Sequence, residues 1–302
     1  MGIAVTLGLM IYGPVNAKDP SGPVAIGDDG VARPGTTYIE DVQPAWKVRL
    51  VALHGEMRAG TMSQAEADEY NAIVNAEAMD PASQIADATA STSGSITTMA
   101  AASVSHSVSQ TQRPQARNNW CGPASAQSVV VAWRDEKFYP TASKRDGSSL
   151  SQTALSGPNY TNAGTSGGTD WVDGDMKRAI NSWLFYPYEY YFQYSSTSVA
   201  ALEDHVTTDL DIDWMMASDT IEIANNTSLH FNHHPLNIDI FHWTTIYGYS
   251  TSGTTFSLQD PGANTTVLSS AWDNVLPYFT MSSTKTYNLM MKNGRASRGI
   301  VW

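Results

Sequence analysis

The hydrophobic positions of this chain are unevenly spread, and the gaps between them divide it. Residues 3–12, "IAVTLGLMIY", are an apolar run. Its length suits a secretory h-region and falls short of the roughly 18 residues a membrane span needs. "VNA" at 15–17 offers small residues for cleavage before Lys18, although no basic residue precedes the run. The pattern predicts a signal peptide over residues 1–17, and a secreted mature protein with no membrane insertion. Residues 18–60 are mixed, with Pro and Gly early. "SQAEADEYNAIVNAEAM" (63–79) predicts a helix: Ser63 and Glu66 have capping-box spacing, and Ala and Glu fill the middle.

Residues 80–112 carry Ser, Thr and Ala and almost no large apolar side chain. Such a stretch buries too little to offset the entropy of ordering, and it predicts a linker. Aromatics and apolar runs return over 113–302, a length that suits one domain. A segment at 18–79 ahead of a linker and a domain has the order of a pro-segment before a hydrolase; an adhesive or spacer segment has the same order.

Within that domain, "PASAQSVVVAW" (123–133) predicts a buried helix with Pro123 in its first position, where the missing N–H costs nothing. "NIDIFHWTTIYGYS" (237–250) and "TTFSLQDP" (254–261) read as two strands joined by turn residues at 250–253. "DWVDGD" (170–175) lacks the spacing of a calcium loop and reads as the start of a helix through "MKRAINSWL". "LFYPYEYYFQY" (184–194) suits a strand partly in the core, a sugar-stacking surface or a groove lining.

Charge narrows the partners. The formal net charge is −12 and no basic run exists, which argues against nucleic acid or an anionic membrane surface. Charged residues are only 15 % of the chain, and abundant small polar residues agree with export.

The 302 residues hold one cysteine, in "QARNNWCGPASAQSVVVAW" (115–133). A lone thiol forms no internal disulfide; it is either reactive or a small buried hydrophobe. Cys121 falls just before the expected helix, where unpaired N–H groups and the helix dipole favour a thiolate. A thiolate nucleophile needs a base and a group to orient that base. Of seven histidines, His54 and His106 lie in the front segment and linker. His205 is in a charged helical stretch, and His230, His233 and His234 crowd a polar loop. His242 lies on a strand. Residues 242 and 260 are symmetric about Thr251 inside the turn, so an even-register hairpin opposes His242 and Asp260 on one face. A bulge at Gly253 would shift this by one. Gln115, six residues before Cys121, offers a side-chain amide for an oxyanion, and the Cys121 N–H offers a second donor.

The ordered set of Gln115, "WCGPA" (120–124), "HW" (242–243) and "DP" (260–261) resembles the C39-like peptidases of the papain-like superfamily. "LSQTALS" (150–156) and "GGTDW" (167–171) resemble that family's middle segment, and the likeness covers roughly residues 110–280. The resemblance implies an α+β fold, with the helix carrying the Cys packed on an antiparallel sheet carrying His and Asp. It implies Cys121 as nucleophile, His242 as base, Asp260 as orienting acid and Gln115 as oxyanion donor. The sequence shows no transporter portion, so leader-peptide cleavage does not carry over. The orienting residue is Asp, where papain-type enzymes use Asn.

The expectation is therefore a secreted, monomeric cysteine peptidase acting on peptides or proteins, requiring no cofactor and no metal, and favoured by mildly reducing conditions. An amidase, transglutaminase or acyltransferase would use the same triad, and a surface-binding module would use none. "GTSGG" (164–168) matches a nucleophile elbow without its strand, and His230 and His234 have metal-ligand spacing without a helix. Both are set aside, as are four Asn-x-Ser/Thr sites that matter only in a eukaryotic secretory route.

Overall fold

A computed structural model describes residues 41–78, 103–133, 141–291 and 298–302. The expected signal peptide and residues 80–102 of the expected linker lie outside them. In chain order the elements are α1 (Ala45–Ala59), α2 (Gln64–Ala78), β1 (His106–Ser107), α3 (Cys121–Ala132), α4 (Gln152–Leu155), α5 (Ala163–Ser166) and α6 (Asp175–Leu184). Then follow β2 (Gln193–Tyr194), α7 (Val199–Asp211), β3 (Met216–Glu222), β4 (Ile240–Ser250), β5 (Thr255–Gln259), β6 (Tyr278–Ser282), α8 (Ser283–Met291) and β7 (Ile300–Val301). The class is α+β. One antiparallel sheet runs β2-β7-β3-β4-β5-β6, with β1 paired to the far end of β4.

The core forms where α3 lies on the sheet. Eleven of the twelve α3 residues are buried, which explains its unbroken small and β-branched run. Ser125 on this helix donates through Oγ to the Trp243 carbonyl on β4, at 3.1 Å. Trp171, Trp183, Trp243 and Trp302 are all fully buried in the main apolar cluster. β3 and most of β4 are buried along their length, as central strands are.

The helix expected at 63–79 forms as α2. Its capping box closes, with Ser63 N–H donating to Glu66 Oε2 at 2.8 Å and Glu66 N–H facing Ser63 Oγ at 3.4 Å. Two sequence readings are refined by the structure. Within 103–112, read as linker, His106–Ser107 form β1 and pair with β4, and Val108 is buried, its N–H donating to the Tyr247 carbonyl at 2.8 Å. Backbone pairing needs no large side chains, so composition concealed it. The Tyr-rich segment is mostly loop, with Tyr191 and Phe192 buried, Tyr186 and Tyr188 exposed and only Gln193–Tyr194 in a strand.

Helix α1 docks on the same body through buried polar side chains. Lys47 Nζ lies 3.6 Å from Asp209 Oδ2 on α7 and 4.0 Å from the Trp302 ring centroid. His54 Nε2 lies 2.8 Å from Asp211 Oδ2. Among the described residues no helix is long and apolar enough to cross a membrane.

Candidate active site

Cys121 is the first residue of α3, and Pro123 is the third rather than the first. The shift costs nothing, because the first four N–H groups of a helix have no partner within it. Gly122 is required by a close approach: a Cβ there would lie 1.8 Å from Thr169 Oγ1. Thr169 is held in turn by the indole N–H of Trp243, which donates to its carbonyl at 2.9 Å. The glycine thus lets the 167–171 loop pass across the helix start, and Asn119 ties that loop down by donating to the Gly167 carbonyl at 2.8 Å. Cys121 is a free, fully buried thiol.

His242 and Asp260 meet, by a different register from the one expected. Thr245 pairs with Gln259, and a bulge falls between Ile246 and Gly248 rather than at Gly253. Asp260, one residue past β5, therefore sits two positions from direct opposition to His242. Strand side chains alternate with period two, so the pair still shares a face. His242 Nε2 donates to Asp260 Oδ1 at 2.8 Å. Among the described residues, Nδ1 of His242 is buried outside strict hydrogen-bond geometry with any partner, and the Cys121 thiol interacts with the ring. Burial opposes a charged imidazole, but Asp260 and then Cys121 override it and raise the His242 pKa well above its ordinary value.

Asp260 is the hub of a longer array. Its Oδ1 also accepts the Gly262 N–H at 2.7 Å, and its Oδ2 lies 2.6 Å from His234 Nε2. Burial would raise the Asp260 pKa; His242 and His234 instead hold it well below the carboxylate range. His234 Nδ1 lies 2.6 Å from Glu222 Oε1 at the end of β3. Glu222 Oε2 accepts the Phe231 N–H at 2.6 Å and faces His230 Nδ1 at 2.8 Å. Burial opposes its charge too, yet His234 and His230 bring the Glu222 pKa down to about 2.

The sequence reading missed His234, His230 and Glu222. The missing signal is the β3 register: Thr220 opposes His242, so Glu222, two residues on, faces the same side. His233, His234 and Asp260 present ligand-type atoms within 4.8 Å of one another. In this structure His234 Nε2 and Asp260 Oδ2 are paired with each other, at a hydrogen-bond distance of 2.6 Å.

Gln115 is buried beside this centre. Its amide nitrogen donates to the carbonyls of Arg117 and Asn118 at 2.8 and 2.9 Å, and its Oε1 has no hydrogen-bond partner among the described residues. Its backbone N–H donates to the Pro261 carbonyl at 2.8 Å, and its carbonyl accepts from Thr265 Oγ1 at 2.7 Å. Gln115 therefore joins the turn before Cys121 to the loop after Asp260.

A thiol at a helix start beside a buried imidazole–carboxylate pair, on an α+β frame, is the arrangement of papain-like cysteine enzymes. Residues 103–290, more than half of the chain, match the model of the Peptidase_C39 like family, and the chain belongs to that family. Membership supports an enzyme of the cysteine peptidase type. No curated protein matches the chain.

Proposed function

We propose that the protein is a cysteine peptidase that hydrolyses peptide bonds through Cys121, His242 and Asp260. The observation that carries this reading is the buried His242–Asp260 hydrogen bond of 2.8 Å with the other ring nitrogen left to the thiol. His242 takes the Cys121 proton on Nδ1, giving a thiolate–imidazolium pair. The thiolate sulfur bonds to the substrate carbonyl carbon, and the carbonyl oxygen takes the negative charge. The C–N bond then breaks as Nδ1 gives its proton to the leaving amine, leaving a thioester. Water, deprotonated by His242, attacks the thioester and releases the acid and the thiol. Asp260 holds Nε2–H throughout and supports the positive ring.

The Cys121 N–H, in the first turn of α3, is the readier oxyanion donor. Both amide bonds of Gln115 go to its own turn, so its expected role requires releasing one carbonyl. Cys121 and His242 are fully buried, so a substrate reaches them only when the cover over the site moves. Secretion after cleavage near residue 17 belongs to the same proposal, as do a monomeric state and a peptide or protein substrate.

The test is digestion of denatured proteins with reductant present, reading new termini by mass spectrometry beside Cys121→Ala. New termini from the wild type alone support a peptidase. Amide or ester products formed when an amine or alcohol is added, in place of acids, would make it a transferase. Equal termini from both proteins would exclude Cys121 as nucleophile.

A further inference from the structure

The 230–234 loop has a role beyond connecting two strands. Both ring nitrogens of His234 lie 2.6 Å from a carboxylate oxygen, Nδ1 from Glu222 and Nε2 from Asp260. An ionised carboxylate only accepts hydrogen bonds, so each nitrogen must carry a proton. We infer that His234 is a positioning residue, a permanent imidazolium clamped between Glu222 and Asp260 that fixes Asp260 Oδ2 and leaves Oδ1 for His242. The inference rests on the peptidase reading and extends it, since the triad is then the outer end of a longer chain of alternating charges.

Every group facing that ring fits. From β3, Glu222 is ionised, held by His234 and His230 against the cost of burial. From the loop itself, His230 contacts Glu222, and His233 Nε2 stands 3.9 Å from Asp260 Oδ2. From β4, the His242 ring centroid lies 5.2 Å away. From α8, Lys285 interacts with Glu222 and donates to Asn232 Oδ1 at 2.7 Å. Trp272 closes the cluster, its ring centroid 4.6 Å from that of His234. The His234 pKa is raised although burial opposes the charge, because Glu222 and Asp260 flank it.

The consequence is tuning. A carboxylate shared between two cations cannot swing, and it holds His242 less tightly than a lone carboxylate would. The His234 charge also adds to the potential that favours the Cys121 thiolate. Removing it leaves the thiolate with one cation and His242 with an undivided Asp260, so both ionisations move to higher pH.

The test follows iodoacetamide labelling of Cys121 against pH in the full chain, wild type beside His234→Gln, with near-UV circular dichroism reporting the fold. The expected result is an upward shift of both limbs by about one pH unit in the variant, the size of a nearby charge effect. Unshifted limbs in a folded variant would overturn the role of His234 while leaving the wild-type profile, and so the peptidase reading, intact. A wild-type thiol that labels only above about pH 8.5 would overturn both. Should the variant not fold, histidine-15N spectra of the wild type decide alone. Two protonated nitrogens on the ring nearest Trp272 at pH 8 are expected, and a single protonated nitrogen would refute the inference.

Discussion

Burial acts in opposite ways on two of the charge clusters inside this molecule. Around Asp260, carboxylates and imidazoles alternate at 2.6–2.8 Å, and each stays charged against the cost of desolvation. Where α1 docks, Lys47 and Asp209 stand 3.6 Å apart, and burial wins: the Lys47 pKa falls to about 8 and that of Asp209 rises to about 6. Asp260 accepts three strong donors, whereas Asp209 faces one distant ammonium in an aromatic setting. A buried charge persists where hydrogen bonds replace its water on every side, and yields where one partner stands off. The first arrangement suits chemistry that must hold an ion pair at neutral pH. The second only attaches a helix.

The contrast breaks most sharply at Asp260. Asp260→Ala removes the acceptor of His242, His234 and the Gly262 N–H together, and peptide hydrolysis should fall by about 10⁴-fold in kcat/KM. Asp260→Asn keeps one acceptor oxygen but turns its NH2 toward a protonated imidazole, so steady-state kinetics on one peptide should show a loss of similar size. Glu222→Gln leaves the cations of His230 and His234 without their anion, and urea unfolding should show a loss of about 3 kcal/mol.

Lys47→Met should cost less, below about 2 kcal/mol, because Asp209 already protonates near pH 6. Pairing it with Asp209→Asn should restore stability. The pH dependence has a definite sign. The unfolded chain, with Lys47 at 10.5, holds more protons than the folded one between about pH 8 and 10.5. Wild-type stability relative to Lys47→Met therefore rises across that window, by about 3 kcal/mol in all. The smallest effect is local: Ser63→Ala removes the Oγ that faces the Glu66 N–H and carboxylate in the α2 capping box, and should cost about 1 kcal/mol by the same unfolding measurement.

What the sequence disclosed follows the range of each interaction. Cys121, His242 and Asp260 were legible because each carries a local signal: a helix start, a β-branched strand, a residue just past a hairpin. The hairpin register is not legible because nothing in the local sequence marks the bulge between Ile246 and Gly248, and His242 and Asp260 share a face because the offset is two residues. His234 and Glu222 were illegible because their meeting depends on β3 pairing with β4 across a long loop. Helix α1 escaped notice for a different reason. Two of its buried positions are Lys47 and His54, which read as surface until Asp209 and Asp211 are placed beneath them.

The peptidase proposal requires Cys121 to react as a thiolate paired with protonated His242. Its most direct test is the rate of iodoacetamide labelling of Cys121 against pH, in the wild type and in His242→Ala. The cover over the site scales the rate by the fraction of open molecules and leaves the midpoint in place while that fraction is pH-independent, so the midpoint is the readout. If the proposal holds, the wild-type midpoint lies well below the ordinary thiol value of about 8.5 and returns toward that value in the variant. A wild-type midpoint at or above 8.5, unchanged by His242→Ala, would contradict it.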